Sequence, residues 1–367
     1  LPEWDTISPA LRLLGEYAQP DPSNLVWCVN CGPGALAASI ATYLSSGVCH
    51  VSSHDHLVLS CTEHTRRENN LQNILIHSQA DLPPQLAGSI DLVLMSISKG
   101  RNLNRRWLLQ AWTALKPGGQ LLLSGPNDLG VQTIIKDGNQ LFQSHDILAY
   151  KKGNRLARYI KPEPNPPLPD WSFEPGIAPG TWHSINLNFP SLDLNLVSLP
   201  GVFSYTELDG GTNLLLSTIK DLTGQMVLDI GCGYGILGLF ASRCGAQSID
   251  MLDSNVLAVA STQENIARSG INNCRVTTSD LFAALPQKKY SLILTNPPFH
   301  AGKQIDYQIT NTLIADSCAF LETNGILQLV ANRFIPYDRL MIEVFGNIST
   351  LAQTTTYQVL ASKKVRV

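Results

Sequence analysis

Along the 367-residue chain, short apolar runs rich in β-branched residues alternate with stretches whose apolar positions recur every three or four residues. That is the pattern of βαβ units laid over a parallel sheet. It is sharpest in the C-terminal half. Met226-Val227-Leu228-Asp229-Ile230 reads as a first strand, a glycine-rich turn follows at Gly231, and a helix is predicted from about Ile236 to Arg243. A second strand is predicted over Ser248 to Leu252 and a helix over Val256 to Ser269. Ser291 to Thr295 reads as a later strand ending on Asn296-Pro297-Pro298-Phe299, and Gly325 to Val330 as another.

The N-terminal half repeats this layout at a nearly fixed displacement. Val26 to Leu36 lies under Val227 to Leu237 at an offset of 201, Asp91 to Ser96 under Ser291 to Asn296 at 200, and Gly119 under Gly325 at 206. Three anchors in the same order indicate a duplicated unit. The copies differ in their polar groups. Asp229 corresponds to Cys28, Gly231 to Asn30, Asp253 to Ser53, and Asn296-Pro297-Pro298-Phe299 to Ser96-Ile97-Ser98-Lys99. The first copy therefore reads as a scaffold that keeps the strands without the site.

A chain of this length exceeds the roughly 250–300 residues at which a single core stops growing. The stretch from Lys161 to Gly180 carries seven prolines, which exclude a regular helix and remove ladder donors, so it reads as a linker. The expected division is a degenerate copy over 1–160, a linker over 161–180 and the copy that keeps the polar groups over 181–367. The composition, 44% hydrophobic and 15% charged, supports two packed cores and excludes wholesale disorder. The longest stretch without an ionised side chain, Pro22 to His54, is broken by Asn30, the Gly32-Pro33-Gly34 turn and Ser45-Ser46-Gly47. It does not read as a membrane span, which needs about 20 apolar residues. The opening Leu1-Pro2-Glu3-Trp4 shows no secretory signal, and eight scattered cysteines make no disulfide framework, so a reducing cytoplasm is expected. Cys28-Val29-Asn30-Cys31 lacks the second pair or histidines of a metal site, and no metal is expected.

The chemistry gathers in the second copy. A strand running into Gly231-x-Gly233-x-Gly235 and then a helix presents backbone N–H groups and a positive dipole end to a ligand. Gly233 to Gly238 also matches G-x-G-x-x-G, with Asp253 some 20 residues on, so a nicotinamide oxidoreductase is one reading. Asp229 weighs against that reading: two residues before the first glycine, a carboxylate can hold a cationic amino group and would repel a pyrophosphate. Asp253 at the next strand end suits ribose hydroxyls, and Asp280 after the third suits an adenine amino group. In Asn296-Pro297-Pro298-Phe299, the Asn oxygen and the Pro297 carbonyl can both accept from one planar NH₂, and Phe299 offers a stacking face. His300 reads better as a pocket wall than as a base.

These residues resemble the class I S-adenosylmethionine-dependent methyltransferases that modify amino groups, a Rossmann-like α/β fold present here as two tandem domains with the N-terminal copy degenerate. More narrowly, the sequence is similar to the bacterial rRNA guanine-N2 methyltransferases of the small subunit methyltransferase C and large subunit methyltransferase G group. Leu199 to Ser204, Leu208 to Leu216 and Val330 to Tyr337 carry that likeness. The resemblance implies S-adenosylmethionine as cofactor, held at Asp229, Gly231, Gly233, Gly235, Asp253 with Ser254, and Asp280 with Leu281. It implies catalysis at Asn296, Pro297, Pro298 and Phe299, and methyl transfer to the N2 of a guanosine in rRNA. Leu208 to Leu216 points to the small subunit, so the 30S particle is the expected partner. Phe345-Gly346-Asn347 with Thr350 points to the large one. Tyr234, where the family has a small residue, is expected to narrow the cofactor cleft.

Charge adjusts the RNA reading. A net charge of −3 excludes binding by bulk positive potential, since residues 1–160 carry +1 and 161–367 carry −4. Contacts must be local, and two basic stretches qualify: Lys151, Lys152, Arg155, Arg158 and Lys161, and Lys99, Arg101, Arg105 and Arg106. Rival readings on the same motifs are adenine N6 or a protein glutamine amide as the methyl acceptor, or an RNA-binding assembly protein with both copies inert.

Overall fold

The computed structural model describes residues 7–185, 187, 194–298 and 304–365. The chain divides into one unit of Leu1–His183 and Leu199–Gly201 and another of Ser184–Ser198 and Val202–Val367. In the first, helix α1 (Pro9–Tyr17) precedes β1 (Leu25–Val29), α2 (Ala35–Tyr43), β2 (Val48–Ser52), α3 (His56–Glu68) and β3 (Ile74–His77). Then follow β4 (Ile90–Ser96), α4 (Arg101–Ala114), β5 (Leu115–Pro126), α5 (Val131–Phe142), β6 (Asp146–Lys151) and β7 (Asn154–Ile160). The strands lie in the order β3-β2-β1-β4-β5-β7-β6, with β7 antiparallel to both neighbours.

Two two-residue strands, β8 (His183–Ser184) and β9 (Val197–Ser198), come next in the chain. The second unit has α6 (Gly210–Thr218), β10 (Met226–Ile230), α7 (Ile236–Arg243), β11 (Ser248–Asp253), α8 (Val256–Ser269), β12 (Cys274–Thr278) and β13 (Tyr290–Thr295). It closes with α9 (Gln304–Phe320), β14 (Leu321–Asn332), α10 (Tyr337–Phe345), β15 (Ser349–Gln353) and β16 (Tyr357–Lys363). Its order, β12-β11-β10-β13-β14-β16-β15, is the first unit's order again. The central strands are covered on both faces, which is why β1 reads as an unbroken apolar run and β10 as one interrupted only by Asp229. Leu228, Ile293, Leu327 and Leu329 form the centre of the second core.

The duplication reaches single atoms. The pairing of β4 with β5 slips between Ile90 and Leu92, and that of β13 with β14 between Tyr290 and Leu292. A Cβ on Gly119 would stand 3.0 Å from the Ile90 carbonyl oxygen, and one on Gly325 would stand 2.9 Å from that of Tyr290. Each copy thus needs glycine where the bulge brings two backbones together. The helices start alike as well. Ser8 caps α1 and Asp209 caps α6, while Asp55 and Asn255 cap α3 and α8, each side chain accepting an N–H of the first turn.

Where the copies differ, the first has filled its site. Cys28, in the place of Asp229, is fully buried with its sulfur 3.8 Å from that of Cys49. Leu11 lies 2.7 Å from where a Cβ on Gly32 would stand, so an aliphatic side chain covers the turn.

Two sequence expectations change. The proline-rich stretch is irregular but not a free tether, because it packs within the first unit. Trp171 and Ile177 are buried there, and the Trp171 indole donates to Gln140 at 2.7 Å. Most of the second basic stretch is structural. Arg101 and Arg105 both donate to Asp137, and Arg106 is buried between Asp81 and the Gly176 carbonyl. Lys161 is likewise buried, its Nζ donating to the carbonyls of Trp112 and Leu115. A guanidinium or ammonium that has left water must find such partners. Lys99, Lys151 and Lys152 remain exposed.

Candidate active site

The site is built at the C-terminal edge of the second sheet, where β10, β11, β12 and β13 deliver their loops. Parallel order places all four strand ends on one edge, and ligands of open α/β sheets bind there.

Three glycines carry the turn after β10. Gly231, Gly233 and Gly235 all have positive φ, at 71°, 57° and 87°, a region side chains with a Cβ avoid. Their roles differ. A Cβ on Gly235 would meet Thr262 at 2.8 Å and one on Gly238 would meet the Met251 sulfur at 2.3 Å, so both serve helix packing. A Cβ on Gly231 or Gly233 would find its nearest atom at 4.0 or 3.9 Å. These two keep space open for a ligand. The G-x-G-x-x-G match is thereby explained without a pyrophosphate.

Asp229 is fully buried. One carboxylate oxygen accepts from the Gly238 N–H at 3.0 Å, and the other has no partner among the described residues. Burial pushes its carboxyl up to about 7, with the nearby Asp253 charge adding to the effect and the Gly238 N–H opposing it. An orphaned, half-neutralised carboxylate beside an open glycine turn is the environment that a bound ammonium relieves. Asp253 accepts from the N–H groups of Gly233 and Asn255, both at 2.8 Å, and ties the turn to the end of β11. Burial raises its carboxyl to about 6 against the pull of the Asn255, Gly233 and Ser254 backbones. Held by these three backbone donors, the carboxylate, with about four acceptor sites, keeps room for a ribose hydroxyl. Ser254 is partly buried beside it.

Asp280 stands exposed after β12. Leu281 adopts a φ of 43° and packs partly against the core, while Ser279 accepts from Ala284 and donates to the Leu281 carbonyl, which fixes the loop. Tyr234 is buried, and its carbonyl accepts from Asn265. Among the described residues no three His, Cys, Asp or Glu side chains cluster as metal ligands would, and no helix is long and apolar enough to cross a membrane.

At the end of β13, Pro297 is buried and Pro298 exposed, while Phe299 and His300 lie outside the described residues. The Asn296 carbonyl borders Gly231. Its side-chain Nδ2 donates to Thr212 Oγ1 at 2.7 Å and to Asp209 Oδ2 at 3.1 Å, and its Oδ1 is buried without a partner among the described residues. Asp209 and Thr212 were not singled out as site residues in the sequence. The sequence signal for them is the Asp-Gly-Gly-Thr spacing of a helix N-cap, together with the change of its carboxylate and hydroxyl to Ser8 and Leu11 in the first copy, where the cap itself is kept.

The strand order, the acid-and-glycine turn and the Asn-Pro-Pro strand end define a class I methyltransferase using S-adenosylmethionine. The residues present fit that cofactor: Asp229 and the space over Gly231 and Gly233 would hold its amino acid portion, and Asp253 would hold its ribose. The chain belongs to the methyltransferase small domain family, whose model matches residues 4–158 and 193–361. It is 32% identical over 273 residues to the ribosomal RNA small subunit methyltransferase C of Psychromonas ingrahamii, covering 74% of this chain and 75% of that one. It is 34% identical over 274 residues to the protein of that name from Pasteurella multocida, covering 73% and 78%. Among solved structures it resembles the T. thermophilus 16S rRNA N2 G1207 methyltransferase in complex with AdoMet and guanosine. The TM-score is 0.80 at 25% identity, covering 97% of this chain and 92% of that one.

Proposed function

We propose that this protein, acting in the cytoplasm, methylates the exocyclic N2 amino group of a guanosine in the 16S rRNA of the small ribosomal subunit, with S-adenosylmethionine as donor. The observation that carries the reading is the buried Oδ1 of Asn296, without a partner among the described residues, at a strand end bordering the cofactor turn. The named functions of the relatives and of the T. thermophilus structure support guanine and the small subunit. S-adenosylmethionine, when bound, supplies an electrophilic methyl group on a sulfonium. Asn296 Oδ1 and the Pro297 carbonyl each accept one N–H of the guanine amino group. Holding both protons directs the nitrogen lone pair at the methyl carbon and stabilises the positive charge that grows on nitrogen. As the C–N bond forms, the bond from the methyl carbon to sulfur breaks to leave a neutral thioether, and the alkylated nitrogen, now strongly acidic, gives one proton to water. This is positioning and electrostatic stabilisation, and it needs no strong base.

The deciding experiment incubates the protein with labelled S-adenosylmethionine and separated 30S subunits, 50S subunits and naked rRNA, then identifies the methylated nucleoside. N2-methylguanosine in 16S rRNA is the expected product. N6-methyladenosine, or label in protein, would overturn the reading.

For the first unit we propose an RNA-holding role centred on the β6–β7 hairpin. Lys151 and Lys152 are exposed at its turn, and the Arg155 guanidinium lies 4.8 Å from the ring centre of Tyr150, itself 62% exposed. Cations interleaved with an open aromatic suit phosphates and an unstacked base. Replacing Lys151 and Lys152 by Glu is expected to raise the RNA Kd about tenfold or more and to lower the salt dependence by about two counterions. Cofactor affinity should stay unchanged, and an unaltered RNA Kd would count against the role.

A further inference from the structure

A carboxamide presents two different faces. Turned by 180° about its last bond, Asn296 would offer two donors to the target where one acceptor is required. The reaction proposed above works only with Oδ1 toward the amino group, so something must set that orientation. The backbone does not set it, since both orientations fit one rotamer.

The neighbours of Nδ2 do. Asp209 Oδ2 is a pure acceptor, and Thr212 Oγ1 donates its own proton to that carboxylate at 3.3 Å, which leaves lone pairs toward Asn296. Both groups around Nδ2 are therefore acceptors, and an amide oxygen turned toward them would face a carboxylate. The pair is itself held in place. Asp209 Oδ2 accepts the Thr212 N–H at 2.9 Å as the N-cap of α6, and the Tyr357 ring packs against Gly210 and Gly211 at the start of that helix. The first copy provides an internal contrast. At the matching positions it has Ser8, Leu11 and Ser96, so the cap survives while the acceptor pair and the amide are gone together.

We propose that Asp209 and Thr212 are positioning residues, which lock the Asn296 amide with Oδ1 facing the substrate and so select an amino-bearing base over its oxo or unsubstituted analogue. The proposal rests on the methyl-transfer reading above, and its test separates the two.

Three variants of the full chain distinguish orientation from capping. Thr212→Val keeps the shape and removes the acceptor. Thr212→Ser keeps the hydroxyl. Asp209→Ser keeps a capping oxygen, as Ser8 does on α1, and is too short to reach Asn296. With 30S subunits as substrate, Thr212→Val and Asp209→Ser should lower kcat about 10- to 100-fold, while KM and the cofactor Kd stay within about twofold. Thr212→Ser should restore kcat to within about threefold of wild type. The orientation itself is read from binding of guanosine against inosine, which lacks the 2-amino group. Wild type should prefer guanosine, and Thr212→Val should lose most of that preference.

A Thr212→Val enzyme with unchanged kcat and intact guanosine preference would overturn the proposal. So would a kcat loss matched by equal losses in cofactor binding and melting temperature, since that marks a structural contact only. A wild-type product other than N2-methylguanosine would overturn the substrate assignment instead. In that case the same variants, assayed on the amino group that wild type does methylate, still decide whether Asp209 and Thr212 orient Asn296.

Discussion

Asn296→Ala is expected to lower kcat for methyl transfer by about a hundredfold or more while leaving the cofactor Kd within about twofold. In the proposed mechanism the side chain is the acceptor that meets the attacking nitrogen, so its removal takes that acceptor away. The loss should be confined to the chemical step. Thr212 and Asp209 remain bonded to each other and to the helix N-terminus when the amide is gone, so the start of α6 keeps its cap. The carbonyl bordering Gly231 belongs to the backbone and is unaffected. Asn296→Asp should fare no better, because a second carboxylate would face Asp209 and be repelled from the required orientation. Single-turnover kinetics alongside calorimetric cofactor binding would check both variants. An alanine variant with more than about a tenth of wild-type kcat would contradict the role.

Asp229→Asn should separate stability from cofactor binding in opposite directions. An aspartate titrates near 3.8 in the unfolded chain and near 7 at this buried position. Between those values the folded protein holds a proton that the unfolded chain has released, so stability is greatest at the acid end of this window. It falls as the pH rises through 7. Asn cannot ionise, and the variant should be more stable than wild type at pH 8, by on the order of a few kcal/mol. The cofactor follows the reverse course. Its ammonium group needs the ionised carboxylate, so wild-type affinity should strengthen from pH 5.5 to 8. The variant should bind at least about tenfold more weakly, with a flat profile over that range. Scanning calorimetry and titration calorimetry across that range test the two halves separately. A wild-type Kd independent of pH would show that Asp229 does not face the ammonium.

The fold was legible in the sequence wherever periodicity and stop signals agreed. The strand at Met226–Ile230 and the helices at Ile236–Arg243 and Val256–Ser269 have the expected bounds, because glycine and asparagine punctuate the periodic apolar pattern. The duplication was legible because three anchors recur in order at a nearly fixed displacement, and the structure gives the reason for one of them, a bulge that admits only glycine at Gly119 and Gly325. Long-range pairing was not legible. Asp137, which engages Arg101 and Arg105, lies more than thirty residues away, and no local pattern announces the partner. The same distance hid the Asp209–Asn296 contact, 87 residues apart. The motif residues themselves were visible, but which of the Asn296 amide atoms is left free depends on that distant contact.

The repeated strand order carries a hazard during synthesis. Two sheets of one design emerge in sequence, and strands that pair alike can pair with the wrong copy while the chain is still incomplete. The packing at one matched position opposes such an exchange. Trp27 fills the centre of the first sheet, edge-on to Trp107 at 6.3 Å, with its indole donating to Ser52; its counterpart in the second is Leu228. A leucine strand placed in the first sheet would leave a void and an unpaired Ser52 hydroxyl, and an indole would overfill the second. The tryptophan and the leucine are therefore not interchangeable between the two sheets.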